Sequence, residues 1–379
     1  LSSKLKILHI DGGVIWGGGQ SQVATLIRET DDQDVEHFLA APAASRLWGK
    51  VRAHIKGSIK LSRLATANPW AMHQVAAFCQ EHGIQIIHAH CGKSHSFAYW
   101  LKRLFLPNVS LIVHRRIPAK IKSNLLSQIK FHTDLVDHFI CVSDFIGSVL
   151  RDGGIPAGKI TTIRSTKKPF PAGPQEKSHS REHLSRSFGL REGGDFFILS
   201  ASRLVPDKGL FILIDAFRKF AREYPNARLL IAGEGELESE LKTAAKHLTE
   251  SGMVTFLGFR KDIPDLLLGA DVFAIPSLSE GLGSTIVEAL MARTAVVGTN
   301  VEGIPELIEH MRTGLLVPPS DPEALFQGFV ALRNQSDLRE LVALNGYSWA
   351  TEKFTPQVMV SQTLAVYRKL LLQGAPKVQ

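Results

Sequence analysis

Short, almost wholly apolar runs recur along this chain, each followed by a glycine-bearing or polar loop and then by a segment with helical spacing. Such runs stand at residues 6–10, 84–88, 111–114 and 138–142, and again at 196–201, 228–232, 254–257, 272–275 and 295–298. A strand that is apolar on both faces has to be covered on both, and helices inserted between successive strands make those strands parallel. The pattern therefore predicts α/β architecture, with helices at about 21–28, 71–81 and 144–150 among the connections. At 379 residues the chain exceeds one average domain. Its rhythm breaks once, at 167–195, where Lys167-Lys168-Pro169-Phe170-Pro171-Ala172-Gly173-Pro174 precedes a polar stretch. That composition reads as a linker. The expectation is two Rossmann-like domains, 1–166 and 196–356, facing across a cleft. Ligands of such sheets bind beyond the C-terminal ends of the strands, so the loops there are the places to search.

Composition narrows the class. Hydrophobic residues make up 44% and charged residues 21%, which leaves apolar mass for two cores. No uncharged apolar run reaches the ~18 residues of a membrane span, and the opening residues carry no secretory hydrophobic stretch. Cys79, Cys91 and Cys141 fall in no metal or redox spacing and suit a reducing compartment. A cytoplasmic location is expected. The net charge of +8 is unevenly placed: residues 1–170 hold 22 Lys and Arg against 11 Asp and Glu, the remainder 22 against 25. A basic half suits phosphates or anionic lipid headgroups, and a solvated basic face is the plainer alternative. Nucleic acid is not expected as a partner, because no basic helix with interleaved aromatics occurs.

Two loops of the second half carry the chemistry. In Ser202-Arg203-Leu204-Val205-Pro206-Asp207-Lys208-Gly209, an arginine fork and a mobile lysine ammonium stand five positions apart on a glycine-terminated loop, suited to gripping a diphosphate. A solvated turn would look similar. The sharper loop is Pro276-Ser277-Leu278-Ser279-Glu280-Gly281-Leu282-Gly283-Ser284-Thr285-Ile286-Val287-Glu288. Its glycines let backbone amides approach a ligand, and a helix beginning at Ser284 or Thr285 would attract anions to its N-terminus. Glu280 and Glu288 can each accept hydrogen bonds from the hydroxyls of a polyol. The competing reading is that both merely favour the helix start electrostatically. Gly258-Phe259-Arg260-Lys261-Asp262 and Glu302-Gly303-Ile304-Pro305-Glu306 are further post-strand loops, either presenting groups to a ligand or turning the chain.

In the first half, Trp16-Gly17-Gly18-Gly19-Gln20-Ser21 reads as a flexible, anion-friendly loop. It is not a dinucleotide fingerprint, and no acidic residue ends a second strand at the required distance, which argues against NAD. His114 ends a strand and precedes Arg115-Arg116, so its ring can meet a sugar or phosphate, although a strand-end histidine is more often structural. His88 and His90 share a strand face like a metal pair. No third ligand is identifiable beside them, and no metal is expected.

Taken in order, these motifs resemble the retaining group-1 glycosyltransferases, also called family four, which have the two-domain GT-B fold. The resemblance covers nearly the whole chain and is strongest from 197 to 322. It implies a nucleotide diphosphate sugar as donor, of UDP, GDP or ADP type, with no cofactor. It places Arg203 and Lys208 on the diphosphate. Glu280 and Glu288 match the family's pair of glutamates, assigned to donor-sugar hydroxyls and to the ribose respectively. Gly281, Leu282, Gly283 and Ser284 match its amide-presenting turn; Thr285, at the helix start, and Arg260, in its post-strand loop, join the donor-binding set on their residue type and position. Gly18 and Gly19 match its glycine-rich loop, and His114 a histidine near the transferred sugar. The chain departs from the family at Ile163-Arg164-Ser165-Thr166-Lys167-Lys168, where members carry Asn-Gly or Ser-Gly before a hydrophobic residue and Asp. A C-terminal helix at about 357–372 is expected to return to the first domain.

The implied activity is retaining, metal-independent hexosyl transfer, with His114, Arg203, Lys208 and Glu280 as its catalytic residues. The basic first half adds the expectation of a glycan or lipid-linked acceptor such as lipopolysaccharide, and of peripheral contact with the anionic inner face of the cytoplasmic membrane. Two rival readings use the same fold: a UDP-sugar 2-epimerase, and a non-catalytic sugar-nucleotide or polyanion-binding protein.

Overall fold

The computed structural model describes residues 4–30, 35–61, 68–121, 123–188 and 195–374. The chain divides into two compact units, Leu1–Thr166 with Pro356–Gln379, and Lys167–Thr355. Both are parallel α/β structures.

The first unit holds β1 (Leu5–Ile10), β2 (Val35–Pro42), β3 (Gly57–Leu61), β4 (Ile86–Ala89), β5 (Ser110–Arg115), β6 (His138–Cys141) and β7 (Ile160–Thr162). They form one parallel sheet in the order β3-β2-β1-β4-β5-β6-β7. The order reverses between β1 and β4, which opens a crevice at their C-terminal ends. One face is covered by the C-terminal helix Pro356–Gly374, whose Met359, Val360, Leu364, Tyr367 and Leu370 pack with Ile7, Ile86, Ile112 and Ile140.

The second unit holds β8 (Phe196–Ala201), β9 (Ala227–Ala232), β10 (Val254–Gly258), β11 (Val272–Ile275), β12 (Ala295–Thr299) and β13 (Leu315–Val317), in the order β10-β9-β8-β11-β12-β13. Its core joins Ile198, Leu229, Ala274 and Val297 to Leu213, Phe217 and Phe220 of the helix Leu210–Glu223, and to Phe329 of the helix Pro322–Asn334. Here the order reverses between β8 and β11. The Lys208 loop and the Glu280 loop are therefore the two walls of the second unit's crevice.

All nine strands expected from apolar runs are present. Two expectations need correction. Within 167–195, residues 189–194 lie outside the described residues, but Pro174–Phe188 is a helix rather than linker. Proline is well placed in a first helical turn, and the small side of this polar helix (buried Ser180, Leu184 and Ser185) packs on the helix Ile263–Gly269. Likewise, the first helix begins at Gly18 rather than near Ser21. First-turn residues need no bond four residues back, so glycine is tolerated there, and Ser21 N–H to the Gly17 carbonyl (2.9 Å) closes the turn. Among the described residues, no helix is long and apolar enough to cross a membrane.

Candidate functional site

At the crevice of the second unit, Lys208 and Glu280 meet. The Lys208 ammonium is buried, 2.9 Å from Glu280 Oε2 and 3.3 Å from Asp207 Oδ2. The two loops are laced by backbone bonds, with the Leu278 and Ser279 N–H groups donating to the Asp207 carbonyl at 2.8 and 3.3 Å. A third loop joins from β12. Glu302, held at φ +49°, accepts from the Ser279 hydroxyl (2.8 Å) and from the Glu280 N–H (2.6 Å). Beside this knot, Gly283 (φ +89°) caps the helix Ser284–Met291, and no side chain caps its start. The backbone amides around Ser284 and Thr285 thus have no competing side-chain acceptor, which makes the helix start a place for an anion.

Glu288 lies inside that helix, and its Oε1 accepts from Lys167 Nζ at 2.7 Å, both side chains being 19% exposed. Arg203 is exposed, and among the described residues nothing engages its guanidinium. Arg260 is not brought to this cluster. It follows β10, at the sheet edge, and forks onto Asp262 at 2.9 and 2.5 Å, a bond that holds the Asp262 carboxyl below its ordinary range.

Gly209 is required where the two loops cross. It has φ +63°, and a Cβ there would lie 2.0 Å from the Pro276 carbonyl oxygen. Gly209→Ala is expected to destabilise the second unit by about 2–4 kcal/mol, seen as a lowered denaturant midpoint. An unchanged midpoint would mean that the loops can separate freely.

In the first unit, the C-terminal ends of β1, β4 and β5 carry a buried histidine cluster. The β1–β4 register sets His9 beside His88. His9 Nδ1 lies 2.9 Å from His90 Nε2, and His9 Nε2 lies 2.9 Å from His37 Nδ1. His37 Nε2 reaches the Thr30 hydroxyl (2.5 Å), which donates to the Leu26 carbonyl. At the other end, Arg116 donates to His90 Nδ1 (3.3 Å) and to His114 Nδ1 (3.2 Å). Arginine can only donate, so each neutral imidazole in the row accepts at Nδ1 and donates at Nε2. Burial above all, reinforced by neighbouring rings and Arg116, holds His9, His88, His90 and His114 well below the ordinary histidine range.

His114 is accordingly a neutral donor at Nε2, and that buried nitrogen has no partner among the described residues. Gly19 adjoins the same group, since a Cβ on it would lie 3.5 Å from Arg116 Cδ. His9 is the third neighbour that the His88–His90 pair lacked, hidden because it comes from a distant strand. The three could surround a cation by distance alone. However, the row commits His90 Nε2 to carrying a proton, and a metal ligand needs that position bare.

Sequence reasoning missed Asp207, Glu302 and Lys167. Glu302 stands in a loop singled out by its glycine, yet nothing in the residue order announces its left-handed backbone. Lys167 lies in the segment that departs from the family pattern.

Comparison with known proteins gives these arrangements a context. Residues 182–349 match the family model described as glycosyl transferases group 1, and residues 16–165 match glycosyltransferase family 4. An uncharacterized glycosyltransferase of Methanocaldococcus jannaschii is 30% identical over 56% of this chain and 55% of its own length. The phosphatidyl-myo-inositol mannosyltransferase of Mycobacterium tuberculosis is 32% identical over 46% of this chain and 47% of its own. For the capsular polysaccharide biosynthesis glycosyltransferase CapM of Staphylococcus aureus, the figures are 28%, 48% and 48%. The chain thus spans about half the length of the curated relatives it matches. Among solved structures, a glycosyltransferase of Rickettsia africae superposes with a TM-score of 0.84 at 18% identity, over 97% of this chain and 99% of that one. Anabaena HepE, solved in complex with UDP-glucose, does so at 0.80 and 22%, over 96% and 100%. Matched in order along both units, the chain belongs to the group 1 glycosyltransferases and has their GT-B fold of two parallel-sheet α/β domains.

Proposed function

We propose that this protein transfers a hexose from a nucleoside diphosphate sugar to a cell-envelope glycan or glycolipid, with retention of configuration and without a metal ion. The observation that carries the reading is the buried Lys208–Glu280 pair at the strand-order reversal of the second unit, beside a helix start free of side-chain caps. When the bond from the sugar C1 to the diphosphate breaks, negative charge gathers on the departing oxygens. Lys208, Arg203 and the amides at Ser284 and Thr285 are the groups that meet it, in place of a divalent cation. Glu280 accepts from hydroxyls of the sugar and Glu288 from those of the ribose, sharing its carboxylate with Lys167. The acceptor oxygen bonds C1 on the face the leaving group vacates, and its proton passes to the departing phosphate oxygen, a course adopted by analogy with the family. In the first unit, Gly18 and Gly19 present amides to an anion, and His114 offers its Nε2–H to a substrate oxygen. Arg260, tied to Asp262, is left for the outer part of the nucleotide.

The acceptor class rests on the basic first part of the chain and on the two named relatives, one acting on phosphatidyl-myo-inositol and one in capsular polysaccharide synthesis. A cytoplasmic enzyme visiting an anionic membrane surface fits both. The test is a thermal-shift and hydrolysis screen against UDP-, GDP- and ADP-sugars with EDTA present. One nucleotide series is expected to stabilise the protein and release sugar slowly, with both effects lost in Glu288→Ala. Absence of any shift would favour a binding protein that has kept the fold.

A further inference from the structure

A cavity of about 660 Å³ opens near the N-terminal ends of β11 and β12, a strand length away from the loops of Lys208 and Glu280. Its walls come from the helix Pro174–Phe188, the chain just before β11, Arg293, and the helix Ser336–Lys353. Four cations line it, Lys177, Arg181, Arg293 and Arg339, against Asp271 and the exposed Glu340. Asp271 is already committed, accepting from Arg181 (2.8 Å) and from the Phe197 N–H (2.7 Å). Lys177 Nζ donates to the Arg293 carbonyl at 2.6 Å, and Arg339 to the Leu332 carbonyl at 2.7 Å. Among the described residues, no carboxylate lies within ion-pair distance of Lys177, Arg293 or Arg339.

Four cations that converge around one inward carboxylate, itself bonded to Arg181, carry surplus positive charge, and a bound anion would offset it. Burial above all brings the Lys177 ammonium down to about 8; Asp271 opposes that shift, and Arg293, Arg339 and Arg181 add smaller contributions to it. Leu268, Ala270, Ala295 and Ala343 add apolar wall. We propose that this cavity is a second ligand site, which takes a small molecule bearing a phosphate group through Lys177, Arg293 and Arg339. Three cations match a dianion better than a carboxylate, and the volume is in the usual range for small-molecule sites.

This inference is independent of the donor site, and its test keeps the two apart. Calorimetric titration of the full chain with inorganic phosphate and with a hexose monophosphate is expected to show saturable binding of at least one of them. Tighter binding of the monophosphate identifies a phosphorylated metabolite, and equal binding identifies the free ion. The double variant Lys177→Gln/Arg293→Gln is expected to lose at least ten-fold in affinity, while Lys208→Ala binds as the parent does. Should the double variant fold poorly, Arg339→Gln alone supplies the comparison, and in the parent protein saturating UDP is expected to leave phosphate binding intact. Absence of saturable binding overturns the proposal, as does phosphate binding that UDP or Lys208→Ala abolishes.

Discussion

Lys208→Ala is expected to lower sugar transfer ~10²–10³-fold, the usual effect of deleting one preorganised group from a charge-stabilising site. The ammonium is enclosed by the three laced loops of the second unit, 2.9 Å from Glu280 and 3.3 Å from Asp207. A diphosphate arriving there exchanges one anionic partner of Lys208 for another. The loss should therefore fall on kcat more than on donor affinity, because charge on the bridging oxygen grows only as the bond breaks. Removing the ammonium also leaves Asp207 and Glu280 without their cation, so some stability goes with it. Melting and turnover have to be measured on the same preparation. A folded variant with turnover within three-fold of the parent would remove Lys208 from the reaction. Lys208→Arg should recover only part of the rate, since the planar fork cannot follow the same buried path.

Acidification from pH 7 to pH 5 is expected to unfold the first unit before the second. His9, His88, His90 and His114 are buried and titrate well below 6.5, with His138 brought down to about 4 and His95 to about 3, burial being the largest cause in each. A group whose folded pKa is depressed leaves stability intact above its unfolded value. Below that value the unfolded chain takes up a proton that the folded one refuses. Each such group then costs about 1.4 kcal/mol per pH unit. As the pH falls toward 5 the buried histidines therefore draw together on the stability of the first unit, as one coupled set. His179, His183, His247 and His310 of the second unit are all exposed. Hydrogen exchange followed by mass spectrometry across this pH range reads the two units separately. Coincident opening of both, or a first unit still protected at pH 5, would contradict the assignment.

Legibility from the amino-acid order followed burial for most strands, but β2 (Val35–Pro42) went unread although seven of its eight residues are buried, its run being broken by Glu36 and His37. Strands covered on both faces, such as Phe196–Ala201 and Ala295–Thr299, announce themselves as apolar runs, and the loops after β8 and β11 could be found by following those runs to their ends. The outer strands Gly57–Leu61, Ile160–Thr162 and Leu315–Val317 are three to five residues long, and little in them distinguishes strand from loop. Pro174–Phe188 looked like a tether because its helix buries few side chains. What stayed hidden at the site were contacts between distant segments. Lys167 reaches Glu288 across 121 positions, and Lys208 reaches Glu280 across 72. Residue types on two loops made the second pairing a natural guess, but no property of Lys167 pointed to the first.

The histidine row of the first unit also bears on Arg116. Its two ends are chemically distinct, a guanidinium that only donates and a carbonyl that only accepts, so the row has a single proton arrangement rather than two of equal energy. Every imidazole then turns its electron-rich nitrogen toward Arg116, and the ring dipoles add head to tail along His90, His9 and His37. Such a row solvates a cation much as oriented water would, without supplying an opposite charge. Burial brings the Arg116 guanidinium down only to about 10, so it stays cationic at neutral pH. The dipoles leave that charge in place, so the Asp11 carboxylate is what tempers it, and the remainder is what an anion approaching the first unit's crevice meets.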